Sequence, residues 1–249
     1  MVVPELDTAA HHPASGCLSD AGRNRTYSLL DRLGKAIVTG LYDGTAFPTE
    51  ADLARQHAVS RSVTREAVKM LTAKGLLTAR PRTGTTVQPP GSWNLFDPDV
   101  LRWLLERKFS LELLRQFTEL RIAIEPAAAA LAARAASEGE VMDIRSGYER
   151  MEAAEAAHDD PLEADIAFHL AILRGSGNPF YAQFQNTVST ALRTSIRFTN
   201  RLKARTTSLP QHAAVLHAIE AREPGSAQQA MFHLINDVRA LITGTEGLN

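Results

Sequence analysis

The chain has 249 residues, 44% of them hydrophobic, 22% charged and 6% aromatic, and a formal net charge of −1. That length buries one large core, or a small domain beside a medium one, without metals or disulfides as staples, and two domains is the better fit. A net charge so near zero excludes a global field that would draw the protein onto nucleic acid or membrane, so any basic surface must be local. Such a surface exists: residues 58–88 hold six Lys or Arg and one acid, Glu66, whereas residues 138–165 hold ten acids against Arg145 and Arg150. Cys17 is the one cysteine, which excludes an intramolecular disulfide and any multi-thiolate metal site. No run of about 18 apolar residues exists to span a bilayer, and the first twenty residues lack the basic start and apolar centre of a signal peptide. A cytoplasmic protein with no membrane partner is expected.

Residues 1–22, with His11, His12, Pro13, Ser15 and Gly16, have no periodic apolar pattern and read as a mobile tail. Leu29, Leu33, Ala36 and Ile37 then recur at helical spacing until Gly40 and Asp43-Gly44 break it, so a first helix is expected over residues 25–39. Thr49, with Asp52 three residues on, has capping-box spacing and starts a second short helix. Ala58 and Val59 make a tight turn, Ser60 caps a third helix, and Gly75 ends it. On that third helix Arg61, Arg65 and Lys69 fall at intervals of four on one face, while Val63, Ala67, Met70 and Leu71 line another. Taken alone, these cations are explained by a solvated face. Two short helices joined by a tight turn, the second offering cations and hydroxyls at its N-terminal end, have the form of a helix-turn-helix reader of DNA. Phosphates favour the cations and the helix N-terminus, and Arg can make paired hydrogen bonds to guanine. Beyond Gly75, LLTARPRTGTTVQ gives two β-prone runs around Pro81, Arg82, Thr83 and Gly84, a hairpin with a basic tip that would serve as a wing.

PTEADLARQHAVSRSVTREAVKMLTAKGLLTARPRTGTTV is similar to the winged-helix DNA-binding domain of bacterial GntR-family regulators. The resemblance implies that Ser60, Arg61, Ser62 and Arg65 contact DNA from the recognition helix, and Thr83 and Gly84 from the wing tip. Many members carry an arginine directly after the glutamate of the second helix. Here that place is Ala51, so the operator sequence cannot be carried over.

After this domain, residues 23–88, come Pro89, Pro90, Gly91 and Ser92, a break that opens a linker over residues 89–100. Trp93, Phe96, Trp103 and Leu104 follow, an aromatic segment expected to dock onto the next domain. WNLFDPDVLRWLLE resembles the joining segment in the sugar-acid-responsive branch of these regulators, the galactonate-repressor type. From Leu111 onward no β-pattern competes, and breaks near residues 137, 160, 177, 209 and 224 divide the chain into six long helices after a short one near Val100 to Arg107. The expected fold is mainly α: a winged helix-turn-helix followed by an all-α antiparallel helical bundle over residues 101–245, able to enclose a ligand cavity.

In EADIAFHLAI, Asp165 and His169 lie four apart and project from one helical face, a spacing that suits two ligands of one divalent cation and equally a hydrogen-bonded pair. His212 and His233 can supply further imidazoles from two later helices. Three histidines and one carboxylate would leave room for a ligand's oxygens on a Zn, Ni or Mn ion. These segments resemble the C-terminal effector (FCD) domain of the FadR subfamily, whose pattern is Asp-x-x-x-His followed by a His in each of two later helices. ELRIAIEPAAAALAA resembles its first motif and RGSGNPFY its interhelical loop. By that resemblance Asp165, His169, His212 and His233 hold the metal and, with Arg121, the effector. In the family the last His follows the methionine by three residues, whereas His233 follows Met231 by two and Leu234 occupies the expected place. One residue is about 100° of rotation, so either the helix is adjusted locally or His233 faces elsewhere.

Arg121 could grip an effector carboxylate through both nitrogens, or simply pair with Glu125 four residues on. Arg193 and Arg197 are further candidates for the same cavity, while His217 points away from His212 and His158 belongs to a loop. The function expected is that of a DNA-binding transcriptional regulator, a homodimeric repressor on a double-stranded operator, released by a small carboxylate such as an aldonate. The alternative is a metal-dependent enzyme in which Asp165, His169 and His212 hold an activated water. No His-Glu-x-x-His or Gly-x-Ser-x-Gly motif supports it.

Overall fold

The computed structural model describes residues 20–80, 84–107, 111–201 and 209–246. Its first core is built by α1 (Asp20–Val38), α2 (Glu50–Gln56), α3 (Arg61–Ala73) and a hairpin of β1 (Leu77–Arg80) with β2 (Gly84–Val87). Leu29, Leu30, Leu33 and Ile37 of α1 meet Leu53 of α2 and Val63, Ala67, Val68 and Leu71 of α3 in one buried cluster. Helix α1 starts at Asp20, inside the stretch read as tail, because its first turn carries no periodic apolar residue to announce it. Thr49 caps α2 as expected: its Oγ1 accepts from Asp52 N and donates to the Asp52 carboxylate at 2.6 Å. The turn before α3 holds Ala58 at φ 51°, a left-handed conformation unusual for a residue with a side chain. At Gly75 glycine is required twice over, by φ 79° and by the Ser92 carbonyl oxygen, which an added Cβ would meet at 2.3 Å. The hairpin is antiparallel, pairing Leu77 with Val87 and Arg80 with Gly84. Its tip, with Thr83, lies outside the described residues.

The second core is all-helical: α5 (Leu111–Ala135), α6 (Glu138–Glu155), α7 (Pro161–Gly175), α8 (Pro179–Gln183), α9 (Gln185–Arg201), α10 (Leu209–Glu220) and α11 (Pro224–Glu246). These are the six long helices expected, plus the five-residue α8. Local signals set their boundaries. Ser137 and Glu140 form a complete capping box on α6, and Asp160 accepts from Leu162 N and Glu163 N to start α7 with Pro161 in its first turn. None of the helices among the described residues is long and apolar enough to cross a membrane.

Between the cores runs α4 (Pro98–Arg107), and its two faces belong to different domains. Val100 and Trp103 are buried in the first core, Leu101 and Leu105 in the second. The boundary expected at residue 100 therefore falls inside a shared helix, and the indole of Trp103 packs against Gly34 of α1 rather than into the helical bundle.

Candidate functional site

Helix α3 presents the face that its spacing promised. Val63, Thr64, Ala67, Val68 and Leu71 are buried, whereas Arg61, Ser62, Arg65 and Lys69 are exposed. Ser60 caps the helix, its Oγ accepting from Val63 N at 3.3 Å and lying 2.9 Å from Ser62 Oγ. Thr64 turns inward and donates to the Ser60 carbonyl at 3.2 Å. Arg65 Nε stands 3.7 Å from Glu50 Oε2, with both side chains largely in solvent. Gly84 is exposed at the start of β2 with φ 81°, and an added Cβ would meet nothing within 4 Å, so backbone conformation rather than space calls for glycine there.

A second group lies buried between α5, α7 and α10. Asp165 and His169, one turn apart on α7, meet His212 of α10: His212 Nε2 is 3.1 Å from Asp165 Oδ1, and His169 Nε2 is 3.9 Å from the same oxygen. One ligand atom from each of the three lies within 4.8 Å of the others, so together they could hold a metal ion. Phe168 closes the group with its ring edge-on to His212 at 5.2 Å. On α5, Arg121 donates to Glu125 from Nε at 2.5 Å and from Nη2 at 3.2 Å. This is the simple four-residue pair, but it is not isolated: Glu125 Oε2 is also 2.6 Å from His169 Nδ1.

All five side chains are almost fully buried. Burial alone would raise the Glu125 carboxyl, yet Arg121 and His169 hold it down at about 2. Asp165 is likewise brought to about 2 against its burial, chiefly by the hydrogen bond with His212 and the charges of His169, His212 and Arg121. Burial works against the Arg121 charge, and Glu125 and Asp165 raise its pKa in spite of that. The result is two ionised carboxylates and two imidazoles around one space, donors that suit borderline divalent metals.

Three expectations are corrected. His233 is exposed on α11 and does not join the group, since Met231 and Leu234 take the inward positions; the one-residue offset rotates the imidazole out. Arg193 forms a two-pronged ion pair with Glu163, its Nη2 2.9 Å from Glu163 Oε2, and is half-exposed rather than turned into the site. Trp103 serves the first core. Arg197 lies in α9 with its side chain outside the described residues, while His217 and His158 are exposed and stand apart from the buried group. Glu125 is the residue that sequence reasoning undervalued. Its spacing from Arg121 was visible, but its contact with His169, 44 residues away, was not.

Residues 27–87 match the model for bacterial regulatory proteins of the gntR family, and residues 116–237 match the FCD domain. The galactonate operon transcriptional repressor of Escherichia coli (strain K12) is 33% identical over 217 residues, covering 85% of this chain and 94% of its own. YieP, an uncharacterized HTH-type transcriptional regulator of the same organism, is 33% identical over 221 residues, 88% of this chain and 95% of its own. The HTH-type transcriptional regulator LutR of Bacillus subtilis (strain 168) is 30% identical over 198 residues, 77% and 89% of the two chains. A solved structure of Lar, described as controlling the expression of the Listeria monocytogenes agr system, has a TM-score of 0.55 at 17% identity, over 88% of this chain and 96% of that one. That likeness concerns the fold alone.

Proposed function

The chain belongs to the GntR family of bacterial regulatory proteins and carries an FCD domain, and from that premise we propose that it represses an operon for sugar-acid or related carboxylate catabolism in the cytoplasm. The family is one of transcriptional regulators, so the enzymatic alternative falls. The observation that carries the reading is the buried group of Asp165, His169 and His212 in a domain joined through α4 to an exposed, capped cationic helix. Ser60, Arg61, Ser62 and Arg65 are assigned to the operator from α3, and Thr83 and Gly84 from the wing. Two copies related by a two-fold axis would present two such helices to half-sites about one helical turn apart.

The donor set fits a divalent metal such as Zn, Ni or Mn. With Leu234 turned inward in place of His233, three protein donors remain, and three is the number that leaves positions open for a ligand's oxygens. The metal would supply a positive centre for the effector's carboxylate and hydroxyl oxygens. Arg121 adds charge close by, although its Nε and Nη2 are already engaged by Glu125. The likeness to a galactonate operon repressor supports an aldonate as effector class.

The test is fluorescence anisotropy of the purified protein on DNA from upstream of its own gene, titrated with a panel of sugar acids and hydroxy acids. Release of the DNA by one acid at micromolar to millimolar concentration supports the reading. Binding that no acid alters removes the effector assignment.

A further inference from the structure

The buried Arg121–Glu125 pair is not accounted for by stability. Their side chains are 5% and 1% exposed, and burying an ion pair carries a desolvation cost that two apolar residues of similar size would avoid. The pair does reach one more group. Glu125 Oε2 lies 2.6 Å from His169 Nδ1, while the other ring nitrogen, Nε2, faces Asp165. Arg121 Nη2 is 3.4 Å from both ring nitrogens. An atom equidistant from the two at that range lies over the ring face, since in the ring plane it would collide with Cε1. Glu125 is therefore the near neighbour of Nδ1, and Arg121 covers the ring and holds the carboxylate.

We propose that Glu125 is the positioning residue of the metal site. Its carboxylate accepts the Nδ1 proton of His169 and so fixes the tautomer and ring orientation in which the Nε2 lone pair faces Asp165 and His212. The inference rests on the reading of Asp165, His169 and His212 as metal ligands. A carboxylate behind a ligating histidine raises the basicity of the ring as well as orienting it. Arg121 acts through Glu125: one turn away on α5, it grips the buried carboxylate through Nε and Nη2 and holds it aimed across at α7. Among the described residues no third histidine joins the group, which sharpens the requirement, because with Leu234 in that place each of the two imidazoles carries more of the affinity.

The experiment uses metal-free full-length protein titrated with Zn²⁺ alone against a chromophoric chelator, and with Co²⁺ alone for its visible absorption. Wild type, His169→Ala and Glu125→Gln are compared. The amide keeps the size of the carboxylate but is a weaker acceptor and can turn its NH₂ to the ring. Glu125→Gln is expected to weaken Zn²⁺ binding by about ten- to a hundredfold and to shift the Co²⁺ bands, with far-UV circular dichroism unchanged. In parallel, ¹⁵N-histidine NMR of the metal-free wild type at alkaline pH, with the His169→Ala spectrum identifying the resonance, is expected to find the proton of His169 on Nδ1. That measurement needs no variant at position 125 and stands even if Glu125→Gln does not fold. Wild type that binds neither metal would overturn the metal reading itself. Wild type that binds both, with a folded Glu125→Gln unchanged in affinity and spectrum or with His169 protonated on Nε2, would overturn the role of Glu125 alone.

Discussion

Arg65 projects from the exposed face of α3, and its one ion-pair contact among the described residues, with Glu50 at 3.7 Å, joins two largely solvated side chains. Contacts of that kind hold a side chain weakly, so the guanidinium can turn to a phosphate or a base edge. Arg65→Ala is expected to reduce operator affinity by about 1–3 kcal/mol, with urea stability unchanged within about 0.5 kcal/mol. An anisotropy titration with undiminished affinity would take Arg65 off the reading face. Asp165 is the opposite case, buried with a carboxylate oxygen 3.1 Å from His212 Nε2. Asp165→Ala should leave DNA binding intact and blunt the effector response, whereas His233→Ala, a change on the exposed face of α11, should alter Zn²⁺ affinity less than twofold by roughly the experimental error of a chelator competition. A response to effector that survives Asp165→Ala, or a marked loss of Zn²⁺ in His233→Ala, would redraw the site.

At the scale of elements, α4 is the joint, and it is held from both sides by polar contacts as well as by its two apolar faces. Lys74, the C-cap of α3, reaches Asp97 at 2.7 Å and Asp99 at 2.9 Å, while Trp103 Nε1 and Arg102 both donate to Asp31 of α1. On the other side Thr187 of α9 donates to the Phe96 carbonyl at 3.1 Å. Burial alone would raise the Asp99 carboxyl, but hydrogen bonds from Lys74 and Arg102 hold it below its ordinary 3.8. Burial would lower Lys74, but its bonds with Asp97 and Asp99 lift it above 10.5. A depressed carboxyl contributes stability that is complete above its unfolded value and is lost as pH falls through the folded one. A raised amine contributes stability that is complete below its unfolded value and is lost as pH rises through the folded one. Lys74→Met should therefore cost about 1–3 kcal/mol in urea unfolding, constant between about pH 5 and pH 9, with the difference from wild type shrinking as the pH falls below 3.8. A pH-independent difference down to acid would mean that the lysine stem, not its charge, fastens the joint.

Gly34 is the tightest point of the same joint. A Cβ there would stand 2.3 Å from Trp103 Cη2 and Cζ3, and the indole is packed too closely to yield. Gly34→Ala is expected to gain helix propensity yet lose about 1–3 kcal/mol through overpacking, read as a lower urea midpoint; a stabilised variant would mean that α4 can shift off α1 freely. Such contacts mark the limit of what the sequence could tell. The caps at Thr49, Ser60, Ser137 and Asp160 were legible because a cap is a local device, and the Asp165–His169 spacing because both lie on one helix. The allegiance of Trp103, the first turn of α1 and the link from Glu125 to His169 depend on residues far apart in the chain or on a turn with no apolar signature. The outward turn of His233 followed from one residue of helical register, which the sequence posed as a question and packing of Leu234 answered.

At the scale of the whole molecule, α4 sets the terms of regulation. Because Val100 and Trp103 belong to one core and Leu101 and Leu105 to the other, neither domain can move without moving this helix or breaking burial on one of its faces. An effector seated at the buried group would therefore act on the DNA-reading head through a packed element rather than a slack tether. Packed interfaces favour discrete arrangements over continuous ones, so two dispositions of the heads are expected, one suited to the operator and one not. Coupling of this kind is reciprocal: the factor by which the effector weakens operator binding must equal the factor by which operator weakens effector binding, and about 5- to 150-fold is the usual range. With whichever acid releases DNA in the anisotropy screen, calorimetric titration of the free protein and of the operator complex should give affinities that differ by that factor. Gly34→Ala, by displacing α4 from α1, should shrink both factors together while each ligand still binds alone. A variant that keeps the full factor in both directions would show that the signal bypasses α4.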